Sequence, residues 1–407
     1  MSALDFPSEY LQKRAFLMRC AELLHAHGTP AHRLERVMAK VGSAIGLPAS
    51  FLYTPTSVFA SFGEAPTNDV HMLRVEFGDL DLGKLLEFDE VMEAVEHHGL
   101  DLETGLIRLE EIEAASPRWN AWWKALAFGL ASSGAARLFG GGYAEIGLSF
   151  CIGPLLYLLS RCLPTRTVEQ GMFEPLAAFV AAMLALLATI QWPLVDDRIV
   201  TLATLIVLIP GLSLTIAMTE LATRHLVSGV SRFAGSAVVF LTILLGVALA
   251  WRIGGGPRGP LESTGVAPPL WTEWLALAVT PFAFTVLLEA RVRELLVIYV
   301  TALSGYCTVR WAATSLGSDL APLLGALVVG VASNAYARVY NRPALVPLTP
   351  GILLLVPGSL GYRSLTSFLD REALAGMEWA FQTGMVAAAL VAGTLAANVI
   401  FPPRRVM

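Results

Sequence analysis

Ten apolar stretches of membrane-spanning length follow one another after residue 118. Their limits are 121–139, 143–160, 174–192, 199–219, 232–251, 271–288, 294–312, 320–338, 345–365 and 379–400. About 20 apolar residues suffice to cross a bilayer as a helix. Ten such runs in the last 289 of 407 residues exceed what a water-soluble core can bury. The composition agrees, with 55% hydrophobic and 15% charged residues against about 25% charge in soluble domains. The chain reads as a polytopic α-helical membrane protein.

The first 118 residues differ. They carry ten basic and nineteen acidic residues, a net of −9, while residues 119–407 carry eighteen and fourteen, a net of +4. This acidic head predicts helices over 8–27 and 30–45, strands over 50–53, 57–62 and 71–77, and helices over 82–97 and 106–115. Glycines 28 and 46 follow the first two helices, and Thr54-Pro55 and the run 63–68 mark turns. The sum is a small α/β soluble domain. The overall charge of −5 excludes the basic stripe that a nucleic-acid partner requires. No signal-peptide pattern opens the chain, so the head is expected in the cytoplasm.

The basic residues then set a topology. Connections on the head's side hold Arg161, Arg166, Arg224, Arg232, Arg291, Arg293, Arg338 and Arg342, and the tail adds Arg404 and Arg405. The opposite side holds Arg137, Arg198, Arg252, Arg258, Arg310, Arg363 and Arg371. Ten against seven has the sign of the positive-inside rule, with both termini cytoplasmic.

Displacing the membrane region by 147 residues lays Leu205–Gly211 (LIVLIPG) on Ile352–Gly358 (ILLLVPG). Five spans per copy is odd, so the second copy is expected to be inverted, a common transporter plan. The expected organisation is 1–118 as the α/β domain, 119–255 as the first membrane half and 256–407 as the second. Pro-Gly inside a span breaks the helix. A helix restarting after the break aims free N–H groups at the gap, where carboxylates are favoured. Pro210, Gly211, Ser213, Thr215, Pro357, Gly358, Ser359 and Arg363 are the candidate substrate-binding residues. Thr219, Tyr362 and Ser364 extend the polar set, and a proline-kinked structural helix is the plainer reading of both segments. Glu220, if buried, is the candidate ion-coupling group. Asn334 and Asn398 suit interhelical hydrogen bonding, and Glu145 and Glu174 suit solvation near segment ends.

Other chemistry is thinly supported. Cys20, Cys151, Cys162 and Cys307 form no C-x-x-C pair and read as buried small hydrophobes. His25, His27 and His32 could reach one metal, but they straddle a helix end and lack an obvious fourth ligand; His97-His98 sits at another end. There is no P-loop, dinucleotide fingerprint or nucleophile elbow. No metal, cofactor or enzymatic activity is expected, and the head reads as regulatory or gating.

The run IPGLSLTIAMTELATRHLVSGVSR (209–232) resembles the signature of the threonine/serine exporter family. So do FLMRCAELLHAHGTPAHRLERVM (16–38), SPRWNAWWKALAFGLASSGAARLFGGGYAEIGLSF (116–150) and TPGILLLVPGSLGYRSL (349–365). The matching signature positions are Pro210, Gly211, Thr215, Glu220, Leu221, Ala222, Val227, Ser228, Gly229 and Arg232. The resemblance implies a cytoplasmic amino-terminal domain, about ten spans, and two halves that are separate proteins in some members and fused here. It implies proton-driven export of threonine and serine. The family pattern carries Asp after the glycine-aromatic run where this chain has Glu145, so no ion-coupling role is carried over to it.

The expected function is a proton-coupled antiporter exporting small hydroxy amino acids across a bacterial inner membrane. Its partners would be a small-molecule substrate, protons and the lipid bilayer. In it Ser213, Thr215 and Ser359 hydrogen-bond substrate, Glu220 couples protons and Arg363 meets a carboxylate. Two alternatives are an exporter or channel for small dicarboxylates, with Arg310, Arg338 and Arg363 as its basic groups, and a membrane-anchored enzyme or regulator acting through the head.

Overall fold

A computed structural model describes residues 7–63, 69–75, 78, 80–97, 99–164, 171–256 and 268–403. Phe77, His98, Arg166, Arg258, Arg404, Arg405 and most of the 63–68 turn, all used above, lie outside the described residues.

The head forms α1 (Ser8–Ala26), α2 (Ala31–Ala44), β1 (Ala49–Thr54), β2 (Ser57–Phe62), β3 (Asp69–Arg74), α3 (Leu82–Glu96) and α4 (Leu102–Ala114). The strands make one antiparallel sheet, order β1-β2-β3, with Tyr53 opposite Val58 and Phe59 opposite Met72. Alternation in β2 buries Val58, Ala60 and Phe62 against α1 and α2. Asp81 and Asp101 cap α3 and α4 through the N–H groups of Lys84 and Thr104. Gly28 and Gly46, at φ 86° and 72°, end the first two helices as the sequence predicts.

The rest is helical: α5 (Ala121–Leu138), α6 (Tyr143–Cys162), α7 (Phe173–Gln191), α8 (Asp197–Leu205), α9 (Gly211–Ala222), α10 (Leu226–Gly254), α11 (Leu270–Leu287), α12 (Leu295–Tyr340), α13 (Leu345–Leu353), α14 (Gly358–Leu369) and α15 (Ala373–Ile400). Among the described residues, seven helices or helix pairs are long and apolar enough to cross a membrane. This is a polytopic helical membrane protein. The α10 helix shows the physical pattern. Phe240, Ile243, Val247 and Ala250 are buried, while Val238, Leu241, Leu245 and Leu249 are at least 50% exposed. A helix apolar on both faces fits a lipid solvent on its outer side.

Four sequence expectations are corrected. Of the four cysteines only Cys20 is buried, while Cys151, Cys162 and Cys307 are exposed on apolar helices. The expected connection between the seventh and eighth segments shrinks to Gly317, whose φ of 76° and ψ of 168° interrupt α12; only glycine tolerates that backbone freely. Arg232 is not in a connection: α10 starts at Leu226 and carries it inside the helix. Glu145 is not solvated: it is 5% exposed. Its carboxylate accepts from the N–H groups of Gly142, at 2.8 Å, and Asp196, at 3.0 Å, so it closes two helix starts at once.

The 199–219 and 345–365 segments are each two half-helices. α8 and α9 are separated by Ile206–Pro210, and α13 and α14 by Leu354–Pro357. The two breaks touch. A Cβ added to Gly211 would lie 2.2 Å from Val356 Cγ1 and 3.0 Å from Gly358 Cα; one added to Gly358 would lie 2.8 Å from Ile209 Cγ2 and 3.3 Å from Gly211 Cα. The half-helices run antiparallel. α9 leads from the crossing to Glu220, which bonds the head at Ala31. α13 starts at Leu345, inside the head's apolar cluster, and leads to the crossing. At the opposite end, Asp370 after α14 meets Arg198 at the start of α8, 3.4 Å apart.

Further similarity between the halves follows the same displacement. α9 and α14 each have twelve residues, and their starts differ by 147 positions. A Cβ on Gly246 of α10 would fall 2.1 Å from the Pro175 carbonyl, and one on Gly393 of α15 would fall 2.2 Å from that of Leu323.

Replacing Gly211 by Ala inserts a methyl where no space exists, and overpacking of this kind costs about 1–3 kcal/mol. We expect Gly211→Ala to lower the thermal unfolding midpoint in detergent. Gly235→Ala, inside α10 where a Cβ meets nothing within 4 Å, should not lower it and should raise it slightly, since alanine is the better helix former.

Candidate functional site

A cavity of about 80 Å³ lies where the head meets the two broken helices. The head supplies Gly28, Pro30, His32, Arg33 and Leu80; α9 supplies Leu212, Thr215, Ile216 and Thr219. α13 supplies Leu345, Leu348, Thr349 and Ile352, and α15 supplies Thr394, Leu395 and Asn398. The wall is thus mainly apolar with a few convergent polar groups, the usual make-up of a small-molecule site.

Each polar group is placed by a local rule. The α9 threonines repeat at 215, 219 and 223, one helix turn apart, so they share a face. Their hydroxyls bond the carbonyl four residues back: Thr215 to Gly211 at 3.1 Å, Thr219 to Thr215 at 2.9 Å, Thr223 to Thr219 at 2.8 Å. Each oxygen retains acceptor capacity for a ligand. Asn398 is held by Asn334, whose amide donates to it at 3.0 Å and to the Phe401 carbonyl at 2.8 Å. The interhelical asparagine pair expected from the sequence is therefore formed, and one member also faces the cavity.

Below the cavity's head-side rim, Glu220 is fully buried. The Arg232 Nε donates to its Oε2 at 3.1 Å, and the backbone N–H of Ala31, first residue of α2, donates to its Oε1 at 3.1 Å. One turn on, His225 meets Glu35 of α2 at 3.1 Å, and the Ser228 hydroxyl donates to the Tyr53 carbonyl at 2.6 Å. The second half grips the head separately. The Leu82 N–H donates to the Leu288 carbonyl at 2.9 Å, Arg291 pairs with Glu87 and Glu90, and Asn341 donates to Glu93.

Arg33 contrasts with these. It is 9% exposed and lines the cavity, yet no acid or hydrogen-bond acceptor among the described residues takes its guanidinium. Burial and the neighbouring Arg36 bring its pKa down to about 10, so it stays cationic at neutral pH. Beside it, burial and the charges of Arg33, Arg36, His225 and Arg232 push the His32 imidazole down to about 2, so it is neutral. Its Nδ1 is buried without a partner.

The sequence-predicted residues separate into three places. Thr215 lines the cavity, with Thr219. Pro210, Gly211, Pro357 and Gly358 form the helix crossing beneath it, with Ser213 and Ser359 half-buried on the turns that follow. Arg363 is elsewhere, beside the rings of Trp379, at 5.6 Å, and Phe139, at 5.9 Å. Glu220 lies at the head seam, away from the crossing. Nor do the other basic groups considered reach the cavity: Arg310 pairs with Glu273, and Arg338 donates to the Pro402 carbonyl at 2.8 Å. His25 bonds the Pro55 carbonyl at 3.2 Å and His27 that of Leu23 at 2.9 Å. Among the described residues no three metal-ligating side chains converge.

Arg33 and His32 went unmarked as cavity residues in the sequence reading. A signal existed for Arg33: it falls four residues before Val37 and eight before Val41, on the buried stripe of α2. A charge on an apolar stripe either finds a partner or faces a cavity.

Residues 15–254 match a family model for threonine/serine exporters, and residues 273–400 match a second, described as Threonine/Serine exporter, ThrE. The chain belongs to the threonine/serine exporter family. Both halves of this exporter-family chain lie in one polypeptide, as the sequence resemblance implied. Membership indicates a membrane transporter rather than an enzyme. Similar proteins include Pheromone-regulated membrane protein 10 of Saccharomyces cerevisiae, 27% identical over 89% of this chain and 48% of its own length. The Eremothecium gossypii protein of that name is 26% identical over 88% and 50%, and the Candida albicans one 26% over 88% and 33%. The chain thus spans half or less of the length of these curated relatives. No solved structure matches it.

Two predictions follow from the seam. Glu220→Gln removes the carboxylate from a buried ion pair with Arg232, and breaking such a pair costs about 3–5 kcal/mol; chemical denaturation of the full chain should show the loss, with Arg232→Met in the same chain restoring part of it. Burial holds both His32 and His25 below the ordinary imidazole value, so each takes up a proton more readily when unfolded. Their contribution is complete above about pH 6.5 and is lost below it, by up to about 1.4 kcal/mol per pH unit for each group. The unfolding midpoint should fall between pH 7.5 and 5.5, and His32→Gln should flatten that acid limb.

Proposed function

We propose that this exporter-family protein moves small hydroxy amino acids, threonine and serine, out of the cell across a bacterial inner membrane in exchange for protons. The observation that carries the reading is the crossing of two antiparallel broken helices beneath a threonine-lined cavity. Both half-helices that restart at the crossing, α9 and α14, present their amino-terminal ends there. Such ends favour a carboxylate, and paired broken helices at a repeat interface are a common transporter device.

In this reading the helical region makes ten crossings, five per half, the second half inverted. The 147-residue displacement, the opposed directions of the two broken helices and the matching Gly246 and Gly393 contacts support it. The head (1–118) lies on the cytoplasmic side, followed by halves 119–255 and 256–407, with both termini on that side. Thr215 hydrogen-bonds substrate in the cavity. Ser213 and Ser359 meet it on its way past the Pro210-Gly211 and Pro357-Gly358 breaks, and Arg363 draws its carboxylate on the far side. Glu220 carries the coupling proton: its protonation would free Arg232 and loosen the start of α2, linking the gradient to the head seam.

The cavity's free cation among the described residues, Arg33, also suits an acid without an amine, so a small dicarboxylate such as succinate is the second reading. Purified protein in liposomes, with an imposed pH gradient and labelled threonine, serine and succinate, separates them. We expect gradient-driven threonine movement competed by serine and not by succinate. Thr215→Val should lower the apparent affinity for threonine by about fivefold to tenfold, one lost hydrogen bond. Glu220→Gln should uncouple movement from the gradient; full proton-coupled transport by that variant overturns the coupling role. Movement of succinate alone overturns the amino-acid substrate.

A further inference from the structure

We propose that Arg33 of the head binds the carboxylate of the transported molecule, so that the head forms one wall of the ligand site. The proposal rests on the transporter reading of the same cavity and assigns a recognition group within it.

Buried charges in proteins are almost always paired, because an unpaired one forfeits its hydration. The other buried or half-buried cations at this seam obey that rule: Arg232 with Glu220, Arg342 with Glu294, Arg291 with Glu87 and Glu90. Arg33 has no such partner among the described residues. The nearest candidates are committed elsewhere. Both Glu220 oxygens are occupied by Ala31 and Arg232. Glu35 lies two positions on along α2, a spacing that turns it to another face; its Oε2 meets His225, while its Oε1 is buried without a partner.

Arg33 therefore lines an apolar cavity, and among the described residues no protein anion receives its guanidinium. A planar fork of N–H donors matches a carboxylate in bidentate fashion. Around it stand residues with neutral hydrogen-bonding groups: Thr215, Thr219, Thr349 and Asn398. This set fits a small molecule with one carboxylate at Arg33 and a polar remainder toward α9 and α15. At about 80 Å³ the cavity is on the scale of a small-molecule site.

The test is ligand-dependent thermal unfolding of the full chain in detergent, with threonine, serine, succinate and threoninol, in which an uncharged alcohol replaces the carboxylate. In the unaltered protein at least one carboxylate should raise the midpoint and threoninol should not. Arg33→Gln should weaken that carboxylate about tenfold to a hundredfold, and Arg33→Lys should lie between. Without ligand, Arg33→Gln should unfold at the same temperature or higher, since it removes an unpaired buried charge. Equal carboxylate affinity in Arg33→Gln overturns the proposal. So does the absence of stabilisation by every carboxylate, or a ligand-free midpoint lowered as far as in Glu220→Gln, which would mark Arg33 as a paired structural cation. Liposome transport separates the two levels. Carboxylate binding that depends on Arg33, without gradient-driven movement, overturns the exporter reading alone. Transport with an unchanged KM in Arg33→Gln overturns this assignment alone.

Discussion

Two backbones meet where Gly211 and Gly358 face each other without side chains, and the architecture of the helical region depends on that approach. Each proline removes an N–H and ends a helix, which inside a membrane exposes backbone groups that lipid cannot satisfy. The chain answers with tight local turns. The Leu208 N–H reaches the Leu205 carbonyl and that of Leu355 reaches Ile352, both at 2.8 Å, before helices restart on the Pro210 and Pro357 carbonyls. Packing one break on the other then covers what remains. Together the two breaks make a close backbone crossing with a cavity above it.

The head is joined to this crossing through charge as well as apolar contact. Its cluster of Phe16, Leu24, Met38 and Phe62 continues into Ala290, Ile298 and Leu345 of the helical region. Ala31 at the start of α2 donates to Glu220, so a carboxylate from α9 occupies a helix amino terminus, the favourable end of its dipole. Arg232 holds the other side of the same carboxylate. Any movement of the head away from α9 must therefore give up a buried ion pair's third partner and withdraw the His32 and Arg33 side of the cavity wall. Head position and cavity access are consequently linked by geometry.

Much of this was legible in the residues. The head's helices and strands, the apolar segments and the Pro-Gly breaks all come from local rules: hydrophobic period, terminal glycines, and the missing proton on proline. The family signature added the fused arrangement. The sequence reading was least accurate for polar groups. Glu145 looked solvated by its place near a segment end, yet it bridges two helix starts from different parts of the chain. Arg363 and Thr215 each follow a Pro-Gly break, but only Thr215 faces the cavity, because α9 and α14 leave the crossing in opposite directions.

The sequence by itself determined which segments are helical, where they break and which carry enough apolar surface to sit in lipid, because each of these depends on neighbours within a few residues. The tertiary structure alone decided which polar side chains share a space. Arg33 and Thr215 are 182 positions apart in the chain and line one cavity, while Glu220, five residues from Thr215, is sealed in an ion pair outside it. The balance between a paired and an unpaired buried charge depends on elements brought together by packing, and no local pattern carries that information.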